Sequence, residues 1–218
     1  MSKAIIVVDF AYKGPKRRGR GTGRTGLSNL LRYLQYRDKE QNRRARSRRN
    51  HERWQDRGMG LHWRDILTSS DSLQSQHVLA WTWVVSPAPD LMALVPEDQR
   101  RELVCDLTER VVEDYYLERG FAIPEYSYIL HDRQTDDQGL QQLHTHVVLP
   151  GTAPTAAERL PVYNNKERGH DALFRDIATR HFEAALDDIV GPHWRIHREQ
   201  EAAISLDPDD LDAWFPRR

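Results

Sequence analysis

The side chains best suited to chemistry in this sequence are three histidines, His131, His144 and His146. Two of them lie in Leu143-His144-Thr145-His146-Val147-Val148-Leu149, a run of strand-forming composition. Alternate side chains of a strand share a face, so His144 and His146 point one way, about 7 Å apart, and Leu143, Thr145, Val147 and Leu149 point the other. A solvated face is the commonplace setting for such a pair. His131 changes the reading, because it closes another apolar run, Tyr126-Ser127-Tyr128-Ile129-Leu130-His131. The turn-rich link Asp132 to Gly139 can fold the two runs into an antiparallel pair and bring three imidazoles to one patch. Such a patch is a metal site with positions left open for a substrate oxygen or water. Nitrogen ligands suit Mn²⁺ or another transition metal better than Mg²⁺, which prefers oxygen, although cellular availability keeps Mg²⁺ a candidate.

Charge indicates what such a site would act on. The formal net charge is −1, yet residues 1–65 hold 18 Lys or Arg against 6 Asp or Glu, and the remainder holds 14 against 27. A basic third joined to an acidic remainder points to a polyanion, with nucleic acid the first candidate. The loop Lys13 to Gly26 (KGPKRRGRGTGRTG) has no apolar anchor, and it lacks the Lys and the glycine spacing of a nucleotide phosphate loop. It reads as a basic segment that orders on phosphates, with Arg17, Arg18, Arg20 and Arg24, and Arg37 further on, as DNA contacts. A helix starting at Thr25 or Ser28 follows, its apolar stripe formed by Leu27, Leu30, Leu31 and Leu34. At about 100° per residue Tyr33 borders that stripe and Tyr36 falls nearly opposite, facing solvent. A phenol just after a basic loop is well placed for a DNA-reactive hydroxyl; an ordinary boundary aromatic is the alternative.

The elements that must position these groups are legible in outline. Ala4 to Phe10 predicts a strand buried on both faces, with Asp9 at its exit as a turn residue or a partner for a metal-bound histidine. His77 to Val85 predicts a strand with a heavy face (Leu79, Trp81, Trp83, Val85) for helices and a small face (Val78, Ala80, Thr82, Val84, Ser86) that leaves room for a ligand. Pro96 opens a helix that Gly120 stops, and a second long helix runs from His170 to Val190, with His181 on its apolar stripe as a core histidine. Ser69 to Ser75 reads as a loop and Trp194 to His197 as a strand. The expected fold is α+β: a central, mainly antiparallel sheet, helices on the heavy face, and the Tyr helix and DNA across the histidine face. Residues 1–198 form the expected catalytic domain, with a basic DNA-binding region at 13–65 and an acidic tail at 199–218.

A Tyr on an early helix (Leu31-Arg32-Tyr33-Leu34), a strand ending in Ser86-Pro87, and His131-Asp132 followed by Leu143-His144-Thr145-His146-Val147-Val148 stand in an order that resembles the relaxases. These are the DNA-nicking enzymes of plasmid mobilisation and conjugation within the His-hydrophobe-His (HUH) endonuclease superfamily. The sequence is most similar to their mobilisation and T-DNA border-cutting branch. The resemblance spans about residues 4–149. It implies the palm-like HUH fold, Tyr33 as nucleophile with Tyr36 as its rival, Ser86 near the DNA backbone, and His131, His144 and His146 as ligands of a divalent ion. It further implies attack on a phosphodiester to give a 5′-phosphotyrosyl enzyme and a free 3′-hydroxyl, with Asp9 or Asp132 assisting the loss of the phenolic proton. The partners implied are single-stranded DNA at a transfer origin and accessory relaxosome proteins. Rolling-circle initiators and related transposases place the Tyr after the His pair. The sequence departs from the pattern in carrying Thr145 between the paired histidines and in the long link from His131 to His144.

Two other functions compete: a metal-dependent nuclease of single-stranded DNA that uses water at the same histidines, and a nonenzymatic basic DNA-binding protein. A single cysteine, Cys105, excludes an intrachain disulfide and fits a reduced, cytoplasmic setting. No apolar run reaches the roughly 20 residues of a membrane span, and none resembles a secretion signal.

Overall fold

The computed structural model describes residues 4–15, 23–36, 54–134, 139–154, 159–161, 169–196 and 198. Its centre is a five-stranded sheet made of β1 (Ile6–Lys13), β2 (Gln55–Arg57), β3 (Ala80–Pro87), β4 (Tyr126–Gln134) and β5 (Gln141–Pro150). The spatial order is β1-β3-β5-β4-β2 and every neighbouring pair is antiparallel. A two-stranded ribbon, β6 (Thr152–Pro154) and β7 (Arg159–Pro161), follows β5. The helices are α1 (Gly23–Tyr36), α2 (Trp63–Ser72), the short α3 (Pro89–Met92), α4 (Glu97–Glu118) and α5 (His170–Val190). The fold class is therefore α+β, as the sequence pattern implies.

The pleat divides the sheet into two unlike faces. On one, Trp81, Trp83 and Val85 of β3, Tyr128 and Leu130 of β4, and Leu143, Val147 and Leu149 of β5 pack with Val104, Leu107 and Val111 of α4 and Phe174, Ile177 and Phe182 of α5. Trp83 sits at its middle, edge-on to Tyr115 and Phe174 at centroid separations of 5.3 and 4.9 Å. Helix α4 begins at Pro96 with Glu97 and Asp98 in its first turn, where acidic groups complement the exposed N–H ends. It ends at Gly120, whose φ of +72° a residue with a side chain rarely adopts.

The other face is covered only in part. Leu27, Leu31 and Leu34 of α1 and Ile66 and Leu67 of α2 bury Ala80, Ile129 and Val148 beneath them, with Trp54 and Met59. Towards β1 the cover stops: Val7, Asp9 and Ala11 are exposed and Thr82 and Val84 half-exposed. The expectation of a first strand buried on both faces is thus corrected, because β1 is an edge strand that buries only the Ile6 side of its pleat. Leu79 precedes β3 and joins the α1–α2 cluster rather than the heavy face.

Residues 69–72, expected as loop, complete α2. Two of their serines turn back to the helix, Ser70 Oγ donating to the Ile66 carbonyl at 2.8 Å and Ser72 Oγ to the Ser69 carbonyl at 2.9 Å, while Ser69 Oγ donates to the Met59 carbonyl at 3.1 Å. Back-bonding of this kind lets serine sit in a helix that its propensity disfavours. Residues 194–196, expected as strand, are helical. His181 is half-buried at the α4–α5 interface, its Nε2 2.7 Å from Asp114 Oδ2, and so lies at the border of the core. Among the described residues no helix is long and apolar enough to cross a membrane.

Candidate metal centre

The hairpin of β4 and β5 sets the site. Its register pairs His131 directly with His144 and Ile129 with His146, so all three imidazoles emerge on the partly covered face. The long link between His131 and His144 proves to be mostly ladder, since Asp132 pairs with Leu143, Arg133 with Gln142 and Gln134 with Gln141 before the chain turns. The three ring centroids stand 4.9 to 5.4 Å apart. One ligand atom from each ring lies within 4.8 Å of the others. The site also adjoins β3: Val84 pairs with His146 and Val85 with Thr145, and one further step in that register brings the buried Ser86 alongside His144.

The residue between the paired histidines serves the opposite face. Thr145 is fully buried, and its hydroxyl lies 2.7 Å from that of Thr108 on α4. Thr108 in turn donates to the Val104 carbonyl at 2.7 Å, so its proton is committed and Thr145 is the donor in the pair. A threonine where a bulky apolar residue is expected is therefore satisfied within the core, and it ties the histidine strand to α4.

Hydrogen bonds select the nitrogen that two of the rings offer. A carbonyl can only accept, so His131 Nε2, 2.9 Å from the Leu34 carbonyl, carries the proton and leaves its lone pair on Nδ1. His144 Nδ1 donates to the Gln142 carbonyl at 3.3 Å, which leaves Nε2 as the base. His146 Nε2 is buried with no hydrogen-bond partner among the described residues. Burial, reinforced by the neighbouring His131 and His144 and by Arg133, lowers the His146 pKa to about 3, so this ring is neutral near pH 7. A metal requires neutral imidazoles, best with the second nitrogen held by an acceptor; His131 and His144 meet both conditions and His146 the first, so the donor set fits one.

Leu34 belongs to the last turn of α1, so the carbonyl that orients His131 comes from the residue after Tyr33. Tyr33 is 53% exposed. It lies about 160° around the helix from Gln35, whose side chain accepts from the Trp63 backbone N–H at the start of α2. Tyr36 is half-buried, its hydroxyl 3.3 Å from His62 Nε2, where the sequence pattern placed it in solvent. The angular argument treats α1 as an isolated cylinder, and it misses the turn before α2 that folds back over the helix end. His62 is the cap of α2: its Nδ1 accepts from Arg64 N–H, so Nε2 donates to the Tyr36 oxygen.

No protein-family profile matches the sequence, and no curated protein matches it. Among solved structures the chain is similar to the conjugative relaxase TrwC in complex with oriT DNA, in its metal-bound form, at 13% identity and a TM-score of 0.49, over 82% of this chain and 70% of that one. It is also similar to TrwC complexed with a 27-mer DNA comprising the recognition hairpin and the cleavage site, at 11% identity and a TM-score of 0.45, over 82% of this chain and 69% of that one.

The remaining candidates divide. Asp132 is not brought to the histidines: it follows His131 on β4 and so points to the other face, where its Oδ2 accepts from Gln141 at 2.8 Å and from Arg101 of α4 at 3.3 Å. Asp9 stays on the histidine face, two strands from His146, with its Oδ1 accepting from the Phe10 N–H at 2.9 Å. It lies within β1 rather than at its exit. Arg24 is exposed in the first turn of α1 and paired with Asp71 of α2. Arg17, Arg18, Arg20 and Arg37 lie outside the described residues, as does the tail from residue 199. Sequence reasoning passed over the Leu34 carbonyl, His62, Thr108 and Arg133. Of these, only Arg133 carried a readable signal, since its spacing of two from His131 puts it on the same face.

Proposed function

We propose that this protein is a metal-dependent DNA transesterase that nicks one strand through Tyr33, as the relaxases of plasmid mobilisation do. The observation that carries the reading is the convergence of three imidazole nitrogens, two of them with tautomers set by backbone carbonyls, beneath the helix end that bears an exposed tyrosine. His131 through Nδ1, His144 through Nε2 and His146 through Nε2 would hold the divalent ion, Mn²⁺ or Mg²⁺ in the first instance. When bound, such an ion withdraws charge from a nonbridging phosphate oxygen and lowers the barrier to attack on the diester.

The chain's own groups supply the rest. The Tyr33 oxygen attacks phosphorus, the bond from phosphorus to the 3′-oxygen breaks, and the products are a 5′-phosphotyrosyl enzyme and a free 3′-hydroxyl. The phenolic proton must leave, and of the two carboxylates nominated by the sequence only Asp9 shares the histidine face. Tyr36 is the weaker nucleophile candidate because its oxygen already accepts from His62 in a half-buried position. The uncovered strip of β1 and β3, formed by Val7, Asp9, Ala11, Thr82 and Val84, gives a single strand of DNA room beside the imidazoles, and the basic residues of the first third would hold its phosphates. A transfer origin as the target, accessory relaxosome proteins as partners and a cytoplasmic setting belong to the same reading.

The test is a denaturation-resistant covalent adduct with single-stranded oligonucleotides carrying candidate origin sequences, in Mn²⁺. The wild type and Tyr36→Phe should form it and Tyr33→Phe should not. An adduct of undiminished yield in Tyr33→Phe removes that residue from the mechanism. Cleavage without any adduct favours hydrolysis by water at the same histidines.

A further inference from the structure

The donor set of the histidine site is unusual in its charge. It consists of neutral imidazoles with no carboxylate ligand, so a bound divalent ion keeps its full charge. On the same face, two ladder pairs beyond His131 and His144, the sheet places Arg133 opposite Gln142. Arg133 is exposed, and Gln142 is half-exposed with its backbone carbonyl already holding His144. Among the described residues the acidic groups nearest this row are turned away or distant: Asp132 faces Arg101 on the other side of the sheet, and Asp9 stands two strands from His146. Arg133 follows His131 by two positions on the same strand, so its guanidinium stands on the face that carries the imidazoles. A guanidinium beside a dication is repulsive in the free protein, and the repulsion reverses when an anion lies between them.

We propose that Arg133, with the Gln142 amide beside it, forms an anion subsite at the mouth of the histidine site that takes a phosphate of a single-stranded nucleic acid. The guanidinium fork suits two phosphate oxygens at once, and the amide adds a neutral donor. The subsite rests on the reading of the protein as a DNA transesterase for its ligand, but its charge logic does not require the tyrosine step. Arg133 is a binding and positioning residue: it fixes where the strand crosses the histidines, and it makes metal and strand bind cooperatively.

Arg133→Gln and Arg133→Lys test this, with Mn²⁺ and a thymidine 20-mer as probes. In the absence of DNA, Arg133→Gln should bind Mn²⁺ about threefold to tenfold more tightly than wild type, because a like charge is gone. In the presence of Mn²⁺ the same variant should bind the oligonucleotide more weakly, with the slope of log K against log salt reduced by about 0.7, the value for one phosphate contact on a single strand. Arg133→Lys should recover the slope. An unchanged slope in Arg133→Gln overturns the subsite. Weaker Mn²⁺ binding in that variant also overturns it, since Arg133 would then be supporting the imidazoles themselves. If the wild type forms no covalent adduct with DNA while Arg133→Gln shows the opposed changes in metal and strand affinity, the subsite stands and the nicking function falls.

Discussion

The neutrality of His146 has a measurable consequence for stability in the absence of metal. Its pKa in the folded chain is lowered to about 3, chiefly by burial, against about 6.5 for an unperturbed histidine. A group depressed in this sense contributes nothing above its unfolded pKa and costs stability below it, because the unfolded chain takes up a proton that the native chain refuses. The loss therefore begins near pH 6.5 and grows by about 1.4 kcal/mol per unit until the native ring itself titrates near pH 3. Relative to neutral pH it amounts to about 1.4 kcal/mol at pH 5.5 and about 2.7 kcal/mol at pH 4.5. For a chain of this size each kcal/mol moves Tm by about 2–4 °C, so the pH 5.5 effect is about 3–6 °C. The measurement is thermal unfolding in EDTA between pH 7.5 and 4.5 for wild type and for His146→Leu. The variant should lack this share of the acid slope. Parallel profiles for the two proteins would refute the claim that His146 is held neutral by the fold. Metal at about a hundred times its Kd should add about 2.7 kcal/mol, near 5–10 °C, to the wild type at pH 7.5.

Two further substitutions probe the frame around the site. Asp90→Ala removes the carboxylate that pairs with the buried Arg198 guanidinium, which also donates to the Ala4 carbonyl at 2.9 Å and so fastens the segment after α5 to the residues that lead into β1. Removing one partner of this buried ion pair should cost about 3–5 kcal/mol in urea unfolding, and a loss below 1 kcal/mol would mean that other groups compensate the Arg198 charge. Thr145→Val removes the donor to Thr108 in the core, with an expected loss of about 1 kcal/mol and Mn²⁺ affinity unchanged within twofold. A large fall in metal affinity would show that the threonine hydroxyl, rather than the ladder, sets the angle of the neighbouring rings.

What the sequence disclosed follows from how many levels of structure each feature needs. His144 and His146 share a face by the pleat alone, and His131 joins them by a hairpin, so the site needed one strand and one turn to be read. The long link to His131 looked like a departure because periodicity fades in Arg133, Gln134, Gln141 and Gln142, polar residues that nonetheless continue the ladder. Asp132 was nominated by proximity along the chain although the same pleat that unites the histidines sends their neighbour to the opposite face. The burial of Tyr33 and Tyr36 was inverted for a different reason: the His62 turn that covers Tyr36 depends on α2, and α2 hides behind serines. Contacts from remote elements, such as the Leu34 carbonyl on His131, have no signature in spacing at all.

The division of the sheet into a core face and a chemical face also explains why the histidine register is secure. A slip of one residue between β5 and its neighbours would turn His144 and His146 into the core and lift Leu143, Val147 and Leu149 out of it. Those three aliphatic side chains are essentially fully buried, and exposing each costs about 1.5–3 kcal/mol. The slip would also separate Thr145 from Thr108 and bring imidazoles without partners against Trp83 and α4. The aliphatic share alone, about 4.5–9 kcal/mol, is comparable with the roughly 5–15 kcal/mol that holds a typical domain folded. The geometry that gathers three nitrogens on one patch is thus enforced by apolar packing on the reverse of the same strands, and substitutions at the histidines themselves are free to change the chemistry without moving the ladder.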